Sequence, residues 1–357
     1  MYLDWTESEL PQSQRTKHVH GLHPYLGKFI PQLAEVFLKE YFHAGQIVID
    51  PFAGSGTTLV QANEMGINSI GCDVSAFNVM LCDVKLSRYD TVGLLETEVL
   101  HALGMYSDAG EQSIDNKYLL QWYSDRSRQD LLKYRSIIGD YFYSDVLKII
   151  LSRSARSARL TTHFDLDSPK EPQTQPYWCH KHKRECSPVD EAARFIKRYS
   201  LDTIKRVEQF ADIRTDARAT IYHADSRSFE FPFADGVVTS PPYLGLIDYH
   251  GQHEYAYQLL GLADKSGDEI GSARSGTGKR AQAEYVSGMS QVFNNVLKSI
   301  PYKAPIIVVV ADKLGLYDEI ASNVGVIVED VFRRTVNRRT GRRAGEFFED
   351  VIVWRKK

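Results

Sequence analysis

Short apolar runs alternate with stretches of helical spacing in the first and last parts of the chain. The strand-like runs lie at residues 46–49, 69–72, 220–223, 236–238 and 306–310. The intervening stretches with helical spacing include residues 30–41, 57–64 and 285–297. Continuous apolar runs of this length are typical of strands buried on both faces of a parallel sheet. The alternation therefore predicts a doubly wound, Rossmann-like α/β fold.

The other patterns suggest how the chain is divided. Residues 89–218 have helical spacing and few strand signals, which indicates a helical insertion. Two last strand-like runs, 326–332 and 348–354, are joined by a polar loop and predict a terminal hairpin. We therefore expect a mostly parallel seven-stranded sheet that ends in an antiparallel hairpin. Residues 1–88 and 219–357 would form the two parts of its core.

Length, charge and cysteine content are consistent with this predicted fold. The chain has 357 residues, a formal net charge of -3 and four cysteines. Unevenly spaced cysteines are typical of reduced thiols rather than of a disulfide framework. No secretory signal is visible in the polar, acidic residues 1–14, and the apolar run at 306–311 is too short to span a bilayer. We therefore expect a cytoplasmic protein that does not associate with membranes.

A glycine-containing turn follows the first predicted strand. Gly54 and Gly56 remove side chains where the backbone must approach a ligand closely, and the next helix offers free N–H groups at its N-terminus. Asp50 ends the strand, where it can accept from an amino group of the ligand. Asp73 ends the next strand, where an acidic residue can hold the hydroxyls of a ribose. The tract lacks G-x-G-x-x-G, so a dinucleotide fits it less well.

The second informative segment is Ser240-Pro241-Pro242-Tyr243, directly after the predicted strand at 236–238. Alone, a Pro-Pro pair indicates only a rigid loop. Together with the glycine tract at 50–56, the segment resembles the paired signature of the DNA amino methyltransferases. These enzymes transfer the methyl group of S-adenosylmethionine to the exocyclic nitrogen of cytosine or adenine. The resemblance extends over residues 17–88 and 220–354.

The resemblance implies S-adenosylmethionine as the cofactor and assigns its site. Residues 23–29 resemble the segment that closes over the methionine end of the cofactor. Asp73 and Asp225 end segments that resemble those contacting the ribose and the adenine. The implied cofactor-binding residues are Tyr25, Lys28, Asp50, Phe52, Ala53, Gly54, Ser55, Gly56, Thr57, Asp73 and Asp225.

The resemblance also assigns the residues that hold the methyl acceptor. An exocyclic amino nitrogen is a weak nucleophile because its lone pair is delocalised into the ring, so the site must accept its hydrogens. Ser240 and the carbonyl of Pro241 suit that role, and Pro241 and Pro242 fix the backbone. Tyr243 can stack on a base that has been flipped out of the duplex.

The identity of the target base depends on residue 240. Serine at the first motif position is more typical of the cytosine-N4 enzymes, whereas aspartate or asparagine is more typical of adenine-N6 methylation. No cysteine follows a proline, so the nucleophile for methylation at cytosine carbon-5 is missing. We therefore favour a cytosine-N4 DNA methyltransferase of restriction-modification type. Adenine-N6 methylation, RNA base methylation and a catalytically silent nucleic-acid-binding protein are the alternatives.

Double-stranded DNA is the expected partner, and a cognate restriction endonuclease is a second candidate. The insertion at 89–218 is the candidate target-recognition region. The arginines and lysine expected to contact DNA are Arg333, Arg334, Arg338, Arg339, Arg342 and Arg343 in the terminal hairpin loop, and Arg274 and Lys279 after the acceptor motif. Their alternative is a solvated basic surface. Arg153, Arg156 and Arg159 are a further basic run, expected on one exposed helix face.

Cys179, His182 and Cys186 offer three zinc ligands within the insertion. A structural zinc site needs four ligands, so a basic loop that happens to contain two thiols is the preferred interpretation. The sequence therefore predicts no metal site, with zinc at these three residues as the less favoured alternative.

Overall fold

The structure is a computed structural model that describes residues 2–25, 27, 29–89, 92–166, 169–336 and 347–357. The strands are β1 (Ile47–Asp50), β2 (Asn68–Asp73), β3 (Tyr177–Cys179), β4 (Arg184–Cys186), β5 (Ala219–His223), β6 (Gly236–Thr239), β7 (Pro305–Val310), β8 (Ile327–Val336) and β9 (Phe347–Arg355). The helices are α1 (Gln12–Arg15), α2 (Pro31–Tyr41), α3 (Thr57–Glu64), α4 (Ala76–Leu86), α5 (Val92–Met105), α6 (Lys117–Trp122), α7 (Asp125–Ile137), α8 (Ser144–Ala158), α9 (Ala193–Ala211), α10 (Glu254–Leu260), α11 (Lys279–Leu297) and α12 (Leu316–Val324).

Seven strands form one sheet in the order β5-β2-β1-β6-β7-β9-β8. The first five of these are parallel to one another, and β9 pairs antiparallel with both β7 and β8. The prediction of a mostly parallel, seven-stranded Rossmann-like sheet with a terminal antiparallel hairpin is confirmed.

The central strands are apolar because helices cover both faces of the sheet. All six residues of β7 are buried. Ile307 and Val309 pack with α2 on one face, whereas Ile306 and Val308 pack with α11 and α12 on the other. Alternate residues thus enter two separate cores, which is why the strand is a continuous apolar run rather than an alternating one.

Helices α5 to α9 lie between the two parts of the core in sequence and pack with α4 and α10 around a third apolar cluster. Helix α8 is central to this cluster, with Leu147, Ile150 and Leu151 fully buried. A separate small sheet, formed by β3 and β4, lies in the long connection between α8 and α9. None of the helices in the described residues combines the length and the apolarity that crossing a membrane requires.

Arg153 and Arg159 of the basic run at the end of α8 are buried and Arg156 is half-buried, which corrects the expected exposed face. Arg153 is buried, forms a 2.6 Å ion pair with Asp202 and lies over the ring of Tyr199. Arg159 is also buried, and its guanidinium donates to the carbonyl of Leu166 at 2.7 Å. The three-residue spacing of these arginines predicted that they share one side of the helix, but it could not show that α9 and the following segment cover that side. Arg153 and Arg159 therefore tie the insertion together rather than offering charge to a ligand.

Candidate functional site

The main cleft lies where the chain order of the sheet reverses. From β1 the chain continues to β2 on one side and returns later to β6 on the other. Ligands of open α/β sheets bind outside the carboxyl ends of the strands at such a switch point. Here the strand ends enclose about 820 Å³ of space that is partly open to solvent. The predicted site residues that line it are Tyr25, Phe52, Ala53, Gly54, Ser55, Thr57, Asp73, Asp225, Ser240 and Pro242.

The turn between β1 and α3 needs both of its glycines. Gly54 has a φ of 51° and Gly56 a φ of 76°, both in the left-handed region that disfavours other residues. A Cβ on Gly54 would lie 3.1 Å from the Tyr25 hydroxyl, and one on Gly56 would lie 2.9 Å from the Cys82 sulfur. Gly54 thus opens the cleft, whereas Gly56 lies behind it, lets α3 pack on α4 and does not line the cleft.

Asp73 lies beside this turn, at the end of the neighbouring strand β2, and fixes its backbone. Its Oδ2 accepts from the backbone N–H of Gly54 at 2.8 Å, and its Oδ1 accepts from the N–H of Ser75 at 2.8 Å. The side chain of Asn78 donates to the same Oδ1 at 3.1 Å. Burial raises the pKa of Asp73, although these three donors counteract the shift. The carboxylate thus joins the ends of β1 and β2 at the cleft.

Asp50 does not line the cleft. Its Oδ1 accepts from the hydroxyl of Thr239 at 2.6 Å and from the N–H of Phe52 at 3.1 Å, and the residue is almost fully buried. Burial raises the pKa of Asp50 to about 6 despite these donors. Its observed contacts therefore link the end of β1 to the end of β6 and hold the turn from behind.

Asp225 lines the cleft as part of an ion pair. Its carboxylate contacts the guanidinium of Arg227, with a shortest distance of 2.6 Å. Burial alone would raise the pKa of Asp225, but the hydrogen bonds from Arg227 outweigh it and lower the pKa. One carboxylate edge of the cleft is thus held ionised and fixed in orientation.

Two serine hydroxyls in the cleft have no well-formed hydrogen bond among the described residues. The Oγ atoms of Ser55 and Ser240 are buried, and neither makes a hydrogen bond of acceptable geometry to any of the residues that the structure describes. Buried hydroxyls are normally paired, since leaving one unpaired costs about 1–3 kcal/mol. These two hydroxyls are therefore available to a bound molecule, as are Oδ1 of Asn78 and Oε2 of Glu269, which also line the cleft and have no hydrogen bond among the described residues.

The Pro-Pro-Tyr segment is fixed from below. The carbonyl of Pro242 accepts from the hydroxyl of Tyr285 at 2.8 Å, and Tyr285 is in turn 2.9 Å from the hydroxyl of Tyr317. Tyr243 is buried and lines a neighbouring cavity rather than the main cleft. Pro241 lines neither space. Ser240 and Pro242 therefore face the main cleft, whereas Tyr243 faces the neighbouring cavity.

Several cleft residues could not be identified from the sequence motifs. Asn78 donates to both Asp73 and the hydroxyl of Tyr25, the latter at 3.2 Å. Tyr249 and Glu269 also line the cleft, and Glu269 is paired with the buried His250. The only sequence signal for Asn78 is its position on the first turn of α4, directly after Asp73. Tyr249 and Glu269 come from loops that the fold brings back to the cleft.

The basic residues assigned to DNA have different environments. Arg333 is exposed at 67% and pairs with Asp350, whereas Arg334 is buried and pairs with Glu349 at 3.3 Å. Arg274 pairs with Asp248 at 2.8 Å, and Lys279 is exposed at the start of α11. Lys28, Arg338, Arg339, Arg342 and Arg343 lie outside the described residues.

Comparison with known proteins identifies the family. The family model of the N6/N4 DNA methylases matches residues 4–81. The chain is 38% identical to the Type II methyltransferase M.MjaII of Methanocaldococcus jannaschii, over 98% of this chain and 83% of that relative. This chain belongs to the DNA amino methyltransferases. The predicted restriction-modification type of methyltransferase is thereby confirmed, and S-adenosylmethionine is its cofactor.

Two further matches of this methyltransferase are more distant. The Type II methyltransferase M.BsoBI of Geobacillus stearothermophilus is 22% identical over 74% of this chain and 57% of that protein. Among solved structures, the rRNA methyltransferase aviRa of Streptomyces viridochromogenes matches at 11% identity with a TM-score of 0.37, covering 99% of this chain and 96% of that chain. A TM-score this low supports no inference about the substrate.

The cleft of this methyltransferase fits the cofactor of the family. A nucleoside with a charged amino-acid tail needs close backbone approach, carboxylates for its hydroxyl and amino groups, and polar atoms that are not already paired. Gly54 allows close approach to the backbone, Asp73 and Asp225 supply the carboxylates, and the hydroxyl of Ser55 is a polar group not already paired among the described residues.

Proposed function

We propose that the protein methylates the exocyclic N4 of a cytosine flipped out of duplex DNA. The observation that supports this most directly is the Ser240 hydroxyl, which faces the cleft and has no well-formed hydrogen bond among the described residues. In the acceptor position, this hydroxyl would accept one hydrogen of the cytosine amino group. Serine rather than aspartate at this position is the basis for preferring cytosine over adenine.

The backbone of the motif provides the second acceptor. The carbonyl of Pro241 would accept the other amino hydrogen, and both prolines hold that carbonyl without further loss of backbone freedom. The hydroxyl of Tyr285 donates to the carbonyl of Pro242 at 2.8 Å, so the peptide between Pro242 and Tyr243 is anchored as well. With both hydrogens accepted, the nitrogen lone pair is directed away from the ring and becomes a better nucleophile.

The cofactor supplies an activated methyl group on its sulfonium centre. We assign Asp73 to the ribose hydroxyls, Asp225 to the adenine and the turn at Gly54 and Ser55 to the remaining polar groups. Tyr25 and Lys28 would close over the methionine end. Asp50, Phe52, Ala53, Gly56 and Thr57 would complete the site, with Asp50 acting through Phe52 and Thr239, the residues it contacts.

DNA would approach the open side of the cleft. Lys279 and the arginines of the terminal hairpin loop are proposed to contact phosphates, and the insertion is proposed to select the target sequence. Arg334 is excluded from that role in the conformation described, because it is buried against Glu349. A restriction endonuclease that cuts the same site is proposed as the biological partner.

The test is methyl transfer to duplex DNA of mixed sequence, followed by mass spectrometry of the nucleosides. N4-methylcytosine is the expected product. N6-methyladenine would refute the base assignment and leave the family and cofactor intact. Methylation of RNA but not of DNA would refute the proposed substrate, and cofactor binding without transfer to either would favour a silent nucleic-acid-binding protein.

A further inference from the structure

Four metal-ligating side chains meet in the connection between α8 and α9. His163, Cys179, His182 and Cys186 each direct one ligand atom to a common point, and these atoms all lie within 4.8 Å of one another. Cys179 and Cys186 end the two strands of the β3–β4 hairpin, and His182 lies in its turn. His163 comes from the segment after α8 and is the ligand that sequence spacing could not supply. We infer that these four residues form a structural zinc site.

The distances agree with a single tetrahedral ion. Zinc at about 2.3 Å from sulfur and about 2.0–2.1 Å from nitrogen, with tetrahedral angles, places sulfur and nitrogen about 3.5–3.6 Å apart. The Cys179 sulfur lies 3.5 Å from Nδ1 of His163 and 3.6 Å from Nδ1 of His182. Nδ1 of His182 lies 3.4 Å from the Cys186 sulfur. Hence three of the four sulfur–nitrogen separations match the ligand shell of one ion.

The turn of the hairpin is shaped to bring its ligands together. The N–H groups of His182 and Lys183 both donate to the carbonyl of Cys179, at 3.2 and 2.7 Å. Lys183 has a φ of 52°, a left-handed conformation that a lysine adopts at a cost. This tight turn places His182 back over Cys179, so that a C-x-x-H pair serves one ion.

The described part of this segment has almost no apolar core of its own. Each strand of the hairpin is only three residues long, and two-stranded hairpins are marginal without further packing. Among the described residues between 162 and 186, Cys179 alone is buried, and the large side chain of Trp178 is 60% exposed. A bound ion would replace the missing apolar core, as it does in small zinc-dependent modules.

A second histidine-containing cluster has a different explanation. His18 and His20 lie 3.0 and 3.5 Å from Oε1 of Glu64, but the ammonium group of Lys17 is 2.6 Å from the other oxygen of that carboxylate. A fixed positive charge beside the carboxylate already balances it and disfavours a cation there. The four hairpin ligands include no carboxylate that a lysine or arginine already neutralises.

Tyr177 makes two contacts with His163, and metal binding would change one of them. The hydroxyl of Tyr177 lies 2.9 Å from Nδ1 of His163 and accepts from the backbone N–H of the same residue at 3.0 Å. Coordination through Nδ1 replaces the first contact and keeps the second. All four zinc positions are then protein ligands, which is the pattern of closed structural sites rather than of catalytic ones. The proposed zinc ion therefore has a structural role and takes no part in methyl transfer.

The test is the metal content of the full-length protein, purified without a metal-affinity tag or chelator. About one zinc ion per chain is expected by elemental analysis. Replacement with Co²⁺ should give the ligand-field bands of a tetrahedral ion together with a thiolate-to-cobalt charge-transfer band. The proposal would be overturned if folded protein from cells grown with ample zinc contained no zinc and did not bind Co²⁺ with these spectral bands.

Variants separate the four ligands from their surroundings. His163→Ala and Cys186→Ser should each lose the stoichiometric zinc, whereas His180→Ala, an exposed histidine of the same hairpin, should retain it. Zinc retained in His163→Ala with an unchanged cobalt spectrum would refute the four-ligand site. Thiol titration of the wild-type protein adds a readout that needs no variant. Adding a chelator should make two further thiols reactive. If a reductant alone made these two thiols reactive, they would be joined in a disulfide, which would contradict the proposal.

Discussion

The hydroxyl of Tyr243 donates a 3.1 Å hydrogen bond to Oε1 of Glu349, a residue of β9. The other carboxylate oxygen of Glu349 pairs with Arg334 of β8 at 3.3 Å. Burial raises the pKa of Tyr243 well above its ordinary value, and the Glu349 charge adds to the shift, so the phenol stays protonated and donates. The last residue of the acceptor motif is thus tied to the terminal hairpin, whose loop is proposed to hold DNA.

This contact separates the ring of Tyr243 from its hydroxyl in a mutational test. If the ring stacks on the target base, Tyr243→Ala should lower methyl transfer by about 10- to 100-fold, because base–aromatic stacking contributes about 1–3 kcal/mol. Tyr243→Phe keeps the ring and should retain transfer. It should nevertheless lower the free energy of unfolding by about 1–3 kcal/mol, since the buried Glu349 loses a donor.

Transfer assays, cofactor titration and urea unfolding distinguish these effects. Both variants should bind S-adenosylmethionine with wild-type affinity, because Tyr243 does not line the main cleft. Pro241→Ala should behave like Tyr243→Ala. Full turnover in Tyr243→Ala and Pro241→Ala would remove these residues from the acceptor site.

Asp73→Ala should weaken cofactor binding by on the order of 1.5–3 kcal/mol, through lost hydrogen bonds to a charged acceptor. The carboxylate also holds the N–H groups of Gly54 and Ser75, so the variant loosens the turn as well. Asp73→Asn keeps one acceptor oxygen and should lose less. The measurement is the dissociation constant of S-adenosylmethionine by calorimetry. Asp83→Ala, which removes an exposed aspartate on α4 outside the cleft, is the matched control. An unchanged dissociation constant in Asp73→Ala would exclude Asp73 from the cofactor site.

His253 should make stability fall with acid. Its ring is buried 4.5 Å from that of Phe77 and 5.4 Å from that of Tyr25, and burial lowers its pKa to about 3. Below about pH 6.5 the unfolded chain takes up a proton on this residue that the folded chain refuses until about pH 3. Its stabilising contribution is therefore complete above pH 6.5 and is lost as the pH falls towards 3.

Urea unfolding at several pH values between 7.5 and 4 measures this effect. His253→Gln does not titrate, so its slope of unfolding free energy against pH should be smaller by up to about 1.4 kcal/mol per pH unit. His43→Gln, which removes an exposed histidine, is the matched control. The buried His20 and His23 also have lowered pKa values, so part of the slope should persist in the His253 variant. Equal slopes in wild type and His253→Gln would contradict the prediction.

Local patterns predicted most of the fold because strands and helices have different apolar periods, and the two faces of β7 illustrate this. They also identified Gly54, Asp73 and Ser240 as residues near strand ends, and all three line the cleft. Contacts between distant segments were not accessible. Nothing near Tyr243 indicates Glu349, nothing near Cys179 indicates His163, and helical spacing alone did not reveal that Arg153 is covered by α9.

A weakly acidic chain must concentrate positive charge in one place to hold a polyanion such as DNA. If Arg338 and Arg339 contact phosphates, replacing both with alanine should weaken binding to all DNA sequences similarly. The salt slope of binding should fall by about two units, near 0.9 for each lost phosphate contact. If one of them reads a guanine edge, binding to the cognate site should fall by about 1–3 kcal/mol more than binding to random DNA. The measurement is DNA affinity at several salt concentrations, with cofactor affinity expected to stay constant.

The control removes the same charge elsewhere, at the exposed Lys39 and Lys357. That double variant should change the affinity through long-range attraction only, and much less at moderate salt because exposed charges are screened beyond about 10 Å. Equal effects of the two double variants would show that net charge, rather than contact by the hairpin loop, accounts for the loss. An unchanged affinity after replacing Arg338 and Arg339 would exclude these two arginines from the DNA interface. The exposed Lys181, Lys183 and Arg184 on the β3–β4 hairpin would then become the next residues to replace.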